Sequence, residues 1–170
     1  MTYLLDTDHI SILQRQAGVE YGTLLLRMAQ HPPTELACAI ISFHEQVLGC
    51  HTYISQARRA EDVVRGYGML AQVLRDFTEA LVIPFDAAAA VVFERLVAQR
   101  VRVGTMDLRI AAIALSHEMV LVTRNASDFR RVPGLRIEDW TVEGRRESQP
   151  NKGVQLTASS LRCAPASGSS

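Results

Sequence analysis

Apolar runs at residues 2–5, 36–41, 81–85 and 119–123 punctuate the chain, with a weaker fifth at 135–137. They are continuous rather than alternating, which suits strands covered on both faces of a parallel sheet. The segments between them carry helical spacing. Ile10, Leu13 and Ala17 share a face, as do Leu24, Leu25 and Met28. Residues 42–57 and 59–77 each read as one helix, and 107–116 as another. Asp86 stands at the N-cap position of a run over 87–99, with Val91, Val92 and Leu96 on one side. Strand and helix in alternation predict a single α/β domain: a central parallel sheet of four to five short strands flanked by helices. Past Trp140 the periodicity stops. Residues 142–170 are rich in Ser, Ala and Gly, so they read as a disordered low-complexity tail, with 1–141 as the domain.

Composition sharpens this picture. The chain has 170 residues, 48% of them hydrophobic, enough for one packed core. Its formal net charge of zero hides a division. From Gly144 onward four basic residues face one acid, so the first 143 residues carry a charge of −3. Such a body lacks the basic excess of an ordinary nucleic-acid binder, and a polyanion would have to be held by local arginines or bound metal. Lys152 is the sole lysine, which argues against any mechanism needing an ammonium group in the body. Cys38, Cys50 and Cys163 are too scattered for a disulfide framework. With no secretory leader and no run long enough to span a membrane, a soluble, cytoplasmic protein is expected.

Acids cluster just past the strand ends, where ligands bind in open parallel sheets. Asp6 and Asp8 follow the first strand, Ser42 and Glu45 the second, and Asn125 and Asp128 the fourth, while Thr105 and Asp107 open a helix directly. Each has a purely structural reading. Ser42 with Glu45 has capping-box spacing, as has Asn125 with Asp128. Asp8 and Thr105 could be N-caps. Together, however, carboxylates gathered in one crevice repel unless a cation joins them, and a hard-oxygen site suits Mg²⁺ or Mn²⁺. Asp86 and Asp139 satisfy the strand-end rule as well, so spacing leaves the choice open.

Other chemistries fail on composition. A phosphotransfer aspartate needs a nearby lysine. His44-Glu45 starts like a zinc-peptidase helix, but Leu48 stands where the second His belongs. No nucleophile elbow, P-loop or dinucleotide fingerprint is present. His44, Cys50 and His51 lack partners at zinc-ligand spacing.

Four motifs in order, LLDTDHIS at the N-terminus, ISFHEQVLG at 41–49, VGTMDLRIAAIA at 103–114 and LVTRNASDFRRVPGLRIEDW at 121–140, resemble the PIN-domain family. More closely they resemble VapC-type ribonuclease toxins of type II toxin–antitoxin systems. The resemblance spans residues 1 to about 140. It implies a PIN-like fold and an acidic pocket in which Asp6, Glu45, Asp107 and Asp128 are catalytic and bind one or two divalent ions, Mg²⁺ or Mn²⁺. It makes Asp8 an auxiliary group, Thr105 and Asn125 polar supports, and Asp86 a helix cap. The chemistry implied is metal-assisted hydrolysis of RNA phosphodiesters, with transfer RNA or another structured RNA as substrate. Arg109, Arg124, Arg130 and Arg131 lie near the motif acids and are candidates for backbone phosphate contacts. Family context further implies a cognate VapB-type antitoxin and a homodimer. The competing readings are a catalytically silent PIN-fold scaffold that binds the antitoxin, and a nuclease directed at DNA.

Overall fold

A computed structural model describes residues 1–142; the tail expected at 142–170 lies, from residue 143 on, outside the described residues. The elements are β1 (Tyr3–Leu5), α1 (Thr7–Arg15), α2 (Val19–Met28), a 3-10 turn (Pro33–Glu35), β2 (Leu36–Ala39), α3 (Ile40–Gln56) and α4 (Ala60–Glu79). They continue with β3 (Val82–Ile83), α5 (Ala87–Ala98), α6 (Thr105–Ser116), β4 (Val120–Val122), α7 (Ala126–Phe129) and β5 (Arg136–Glu138). The five strands form one sheet in the order β3-β2-β1-β4-β5, and every pairing is parallel. Leu5 is level with Cys38 on β2 and with Val122 on β4, so the three central strands end together.

Both faces of the sheet are covered, which is why the strand sequences run apolar without alternation. Leu4, Ala37, Ala39 and Leu121 point into a core shared with α5 and α6. Tyr3, Leu5, Leu36, Cys38, Val120 and Val122 point into a second core with α1, α2 and α4. Helix α3 serves both: Ile41 joins the first core and Cys50 the second. Its approach to α4 is close at Gly66, where an added Cβ would lie 2.5 Å from Ile54 Cγ1.

Some sequence expectations need correction. Ile40 and Ile41, expected in the second strand, form the first turn of α3. The third strand shrinks to Val82–Ile83 at the sheet edge. Ala17 lies beyond α1, which closes on Gln16 in the left-handed region at φ 50°. No helix among the described residues is long and apolar enough to cross a membrane.

Candidate functional site

The strand order reverses direction between β1 and β4, since the chain runs outward to β2 and β3 on one side and to β4 and β5 on the other. Such a switch point opens a crevice at the carboxyl ends of the strands. Asp6 sits in it. Its backbone N–H donates to Val122 O at 2.9 Å, continuing the β1–β4 ladder by one step. Its side chain is almost completely buried, and both oxygens are engaged: Oδ1 accepts from Thr7 N–H at 2.8 Å and Oδ2 from Thr123 Oγ1 at 2.7 Å. Asp6 is therefore the N-cap of α1, the role the sequence offered to Asp8, which lies inside the first turn.

The other acids arrive on separate helices. Glu45 projects from α3, where its Oε2 accepts a short hydrogen bond from Thr7 Oγ1. Asp107 lies in the first turn of α6 and Asp128 in α7, and the Asn125 amide bridges them, donating to Asp107 Oδ2 at 3.4 Å and to Asp128 Oδ2 at 3.2 Å. Asp8 Oδ2 accepts from the backbone N–H of Arg124 at 2.8 Å. Burial first, then the Asp8 charge, pushes the Asp6 carboxyl up to about 7, against the hydrogen bonds from Thr123 and Thr7; Asp107 adds to the rise. Asp107 is raised by burial and by the charges of Glu45, Asp128 and Asp8. Every side-chain charge that shifts these two groups is thus another carboxylate. The five acids share one electrostatic environment.

The cap readings sort accordingly. Asp86 is a true cap, accepting from Ala89 N–H at 2.9 Å, as the resemblance implies. Ser42 is not: α3 begins two residues earlier, with Ala39 as its N-cap. The Ser42 hydroxyl is instead buried without a hydrogen-bond partner, one turn before Glu45. Thr105 is the first residue of α6, behind a Gly104 cap, and among the described residues no hydrogen bond ties its side chain to the acids. Asn125 stands at the cap position of α7 but spends its amide on the two acids.

The arginines divide. Arg109 lies about 200° around α6 from Asp107, with its guanidinium 5.7 Å from the centre of the Phe93 ring, so it packs on α5. Arg124 is exposed and pairs with Glu20 of α2 at 3.2 Å. Arg131 is 3.6 Å from Asp128 and also donates to Arg102 O. Arg130 is exposed. Sequence reasoning missed Thr7, Thr123 and His9. The first two orient Glu45 and Asp6, and His9 is wholly buried against Asp8. The available signal was position: all three flank a motif acid or a strand end.

A divalent ion fits this donor set. The groups are carboxylate oxygens, matched to a hard cation. Among the described residues no three acids, histidines or cysteines stand close enough together to hold a metal ion as placed.

No family model matches the chain. A tRNA(fMet)-specific endonuclease VapC of Shigella flexneri is 42% identical over 64 residues, 35% of this chain and 48% of that protein. The chain spans about half the length of the first such curated relatives it matches. Ribonuclease VapC1 of Haemophilus influenzae is 27% identical over 144 residues, covering 83% of this chain and 99% of the relative. Among solved structures, DNA-bound VapBC from Salmonella typhimurium aligns with a TM-score of 0.63 at 25% identity, over 82% of this chain and 98% of that one. The chain is similar to VapC proteins in sequence and in fold. VapBC-1 from nontypeable Haemophilus influenzae agrees, with a TM-score of 0.60 at 26% identity, over 84% of this chain and all of that one.

Proposed function

We propose that this VapC-like chain is a metal-dependent endoribonuclease toxin that hydrolyses phosphodiester bonds of a structured RNA. The carrying observation is the convergence of Asp6, Asp8, Glu45, Asp107 and Asp128 on one pocket in which the charges acting on Asp6 and Asp107 are all negative. Nothing in ordinary packing favours that arrangement; a bound cation does. Asp6, Glu45, Asp107 and Asp128 would hold Mg²⁺ or Mn²⁺, with Asp8 auxiliary. Bound there, the ion supplies Lewis-acid stabilisation of phosphate charge and makes water a nucleophile near neutral pH.

The protein's own contribution is orientation. Thr7 and Thr123 fix the two oxygens of Asp6, Thr7 also fixes Glu45, and Asn125 spans Asp107 and Asp128. These donors are neutral, so they aim the carboxylates without cancelling the charge that attracts the ion. The exposed Arg124, Arg130 and Arg131 would contact backbone phosphates, whereas the packing of Arg109 on Phe93 makes it a structural residue. Transfer RNA is the substrate class suggested by the name of the Shigella relative.

The solved relatives in complex with antitoxins support a VapB-type partner. Its seat, in this reading, is an apolar cleft of about 780 Å³ between α1, α2 and α4, lined by Leu13, Tyr21, Leu25, Met28 and Phe77. The proposed functional unit is residues 1–141, acting as a homodimer.

The test is incubation of total bacterial RNA with antitoxin-free protein, with Mg²⁺ or with EDTA, beside Asp107→Asn. Discrete fragments that need Mg²⁺ and fall at least about a hundredfold in the variant are expected. Folded wild-type protein that binds an antitoxin and cuts nothing would establish the silent-scaffold reading instead.

A further inference from the structure

His9 is one of four buried polar residues among the described ones, and it is wholly shielded from solvent. Its Nδ1 donates to Asp8 Oδ1 at 2.7 Å, and its Nε2 accepts from the backbone N–H of Trp140 at 3.4 Å. A carboxylate only accepts, so the 2.7 Å contact calls for a proton on Nδ1, facing Asp8. Asp139 Oδ1, 3.8 Å from Nε2, is already engaged by the backbone N–H and hydroxyl of Thr141.

The far end of this contact is rigid. Trp140 is 1% exposed, and its ring stacks on His31 at 5.1 Å and tilts against Tyr3 at 4.8 Å. Its indole N–H donates to Glu138 at 2.7 Å. Asp8 is consequently gripped twice: Oδ1 by His9 and Oδ2 by the backbone N–H of Arg124. One hold comes from α1 and the other from the turn after β4, the two sides of the switch-point crevice. With about a third of its side chain exposed, Asp8 would otherwise be free to rotate toward solvent.

We infer that His9 is a positioning residue that sets the orientation of the Asp8 carboxylate at the mouth of the pocket by bracing it against the backbone of Trp140. The inference rests on the metal-site reading above. Hydrogen bonds behind a ligating group hold its geometry, and losing one costs roughly 10- to 100-fold in metal affinity. Because Asp8 keeps its second donor, the low end applies.

The experiment compares His9→Asn, which keeps an N–H near the Nδ1 position, with His9→Gln, which places its amide near Nε2 and loses the donor to Asp8. Calorimetric titration of the full chain with Mn²⁺ should find His9→Asn within about threefold of wild type and His9→Gln about tenfold weaker. Adding His9→Gln to Asp8→Asn should weaken binding no further, because the two act through one contact. In the metal-free wild-type protein, nitrogen NMR should find the His9 proton on Nδ1. Unchanged Mn²⁺ affinity in folded His9→Gln, additive losses, or a proton on Nε2 would each overturn the assignment, and the wild-type NMR decides it even if His9→Gln does not fold. Wild-type protein that binds no Mn²⁺ would remove the metal reading itself, whereas failure confined to the variants removes the role of His9 alone.

Discussion

Replacing Asp6 by Asn should change the stability of the metal-free protein with opposite sign at low and high pH. Folding raises the Asp6 carboxyl from 3.8 to about 7, through burial and the charge of Asp8. A raised folded-state value means that the native state prefers the protonated form. The associated stability is therefore complete below about pH 4 and is lost as pH rises through about 7. A shift of about three units at about 1.4 kcal/mol each makes the ionised group cost up to about 4 kcal/mol in alkaline solution. Asn cannot ionise, so it escapes that cost. It brings its own: Thr123 Oγ1, which already accepts from Asn125 N–H at 3.0 Å, must turn from donor to acceptor. A disturbed buried hydrogen bond costs about 1–2 kcal/mol. In urea unfolding with EDTA, Asp6→Asn should be about 1–2 kcal/mol less stable than wild type near pH 4 and about 2 kcal/mol more stable near pH 8.5. Mg²⁺ at a hundredfold excess over its Kd should then restore the wild type by about 2.7 kcal/mol and leave the variant unmoved. A variant destabilised equally at both pH values would show that Asp6 is a helix cap without electrostatic stress, and the argument for a cation site would fail with it.

Two further outcomes separate positioning from packing. Thr7→Val removes the hydroxyl that holds Glu45, so the Mg²⁺ concentration for half-maximal RNA cleavage should rise about tenfold, with Thr7→Ser restoring it; an unchanged Mg²⁺ dependence would refute the orienting role. Asp86→Ala loses the cap bond to Ala89 and should lower stability by about 1 kcal/mol in a thermal melt while leaving cleavage intact; a matching loss of cleavage would return Asp86 to the list of site acids.

The architecture was readable because burial on both sheet faces leaves an unmistakable trace, short apolar runs with no alternation. Their ends were less readable, since the rule that makes a buried strand apolar also makes a buried helix start apolar. Ile40 and Ile41 illustrate this: they continue the run of β2 in composition but curl into α3. Helix α7 is four residues long and carries too little periodicity to stand out. At the candidate site, the strand-end acids and the Asn125 support were legible, whereas the supports Thr7 and Thr123 were not. Thr7 meets Glu45 across 38 positions and Thr123 meets Asp6 across 117, contacts that depend on which strands and helices become neighbours. Local spacing placed the Asp86 cap correctly but offered the α1 cap to Asp8 and a capping box to Ser42. In the structure Asp6 is both the cap of α1 and one of the clustered acids.

That double role points to how the fold tolerates its own pocket. Carboxylates at Asp6, Asp8 and Asp107 occupy the cap or first turn of a helix, where the dipole eases negative charge. Their side-chain donors are Thr123, His9 and Asn125, backbone N–H groups supply the rest, and the Thr7 hydroxyl serves Glu45. Both devices reduce the cost of holding the acids together without placing an arginine among them. An internal ion pair would relieve the repulsion more fully, but it would fill the place of the proposed metal. Arg131 beside Asp128 shows the limit: that pair is wide, at 3.6 Å, with both partners more than a third exposed, so it trims the charge at the rim and leaves the buried acids uncompensated. On the proposed function, a pocket built this way would be stressed when empty and relaxed when filled, and the same stress that costs stability in the metal-free chain would be the source of its affinity for a cation.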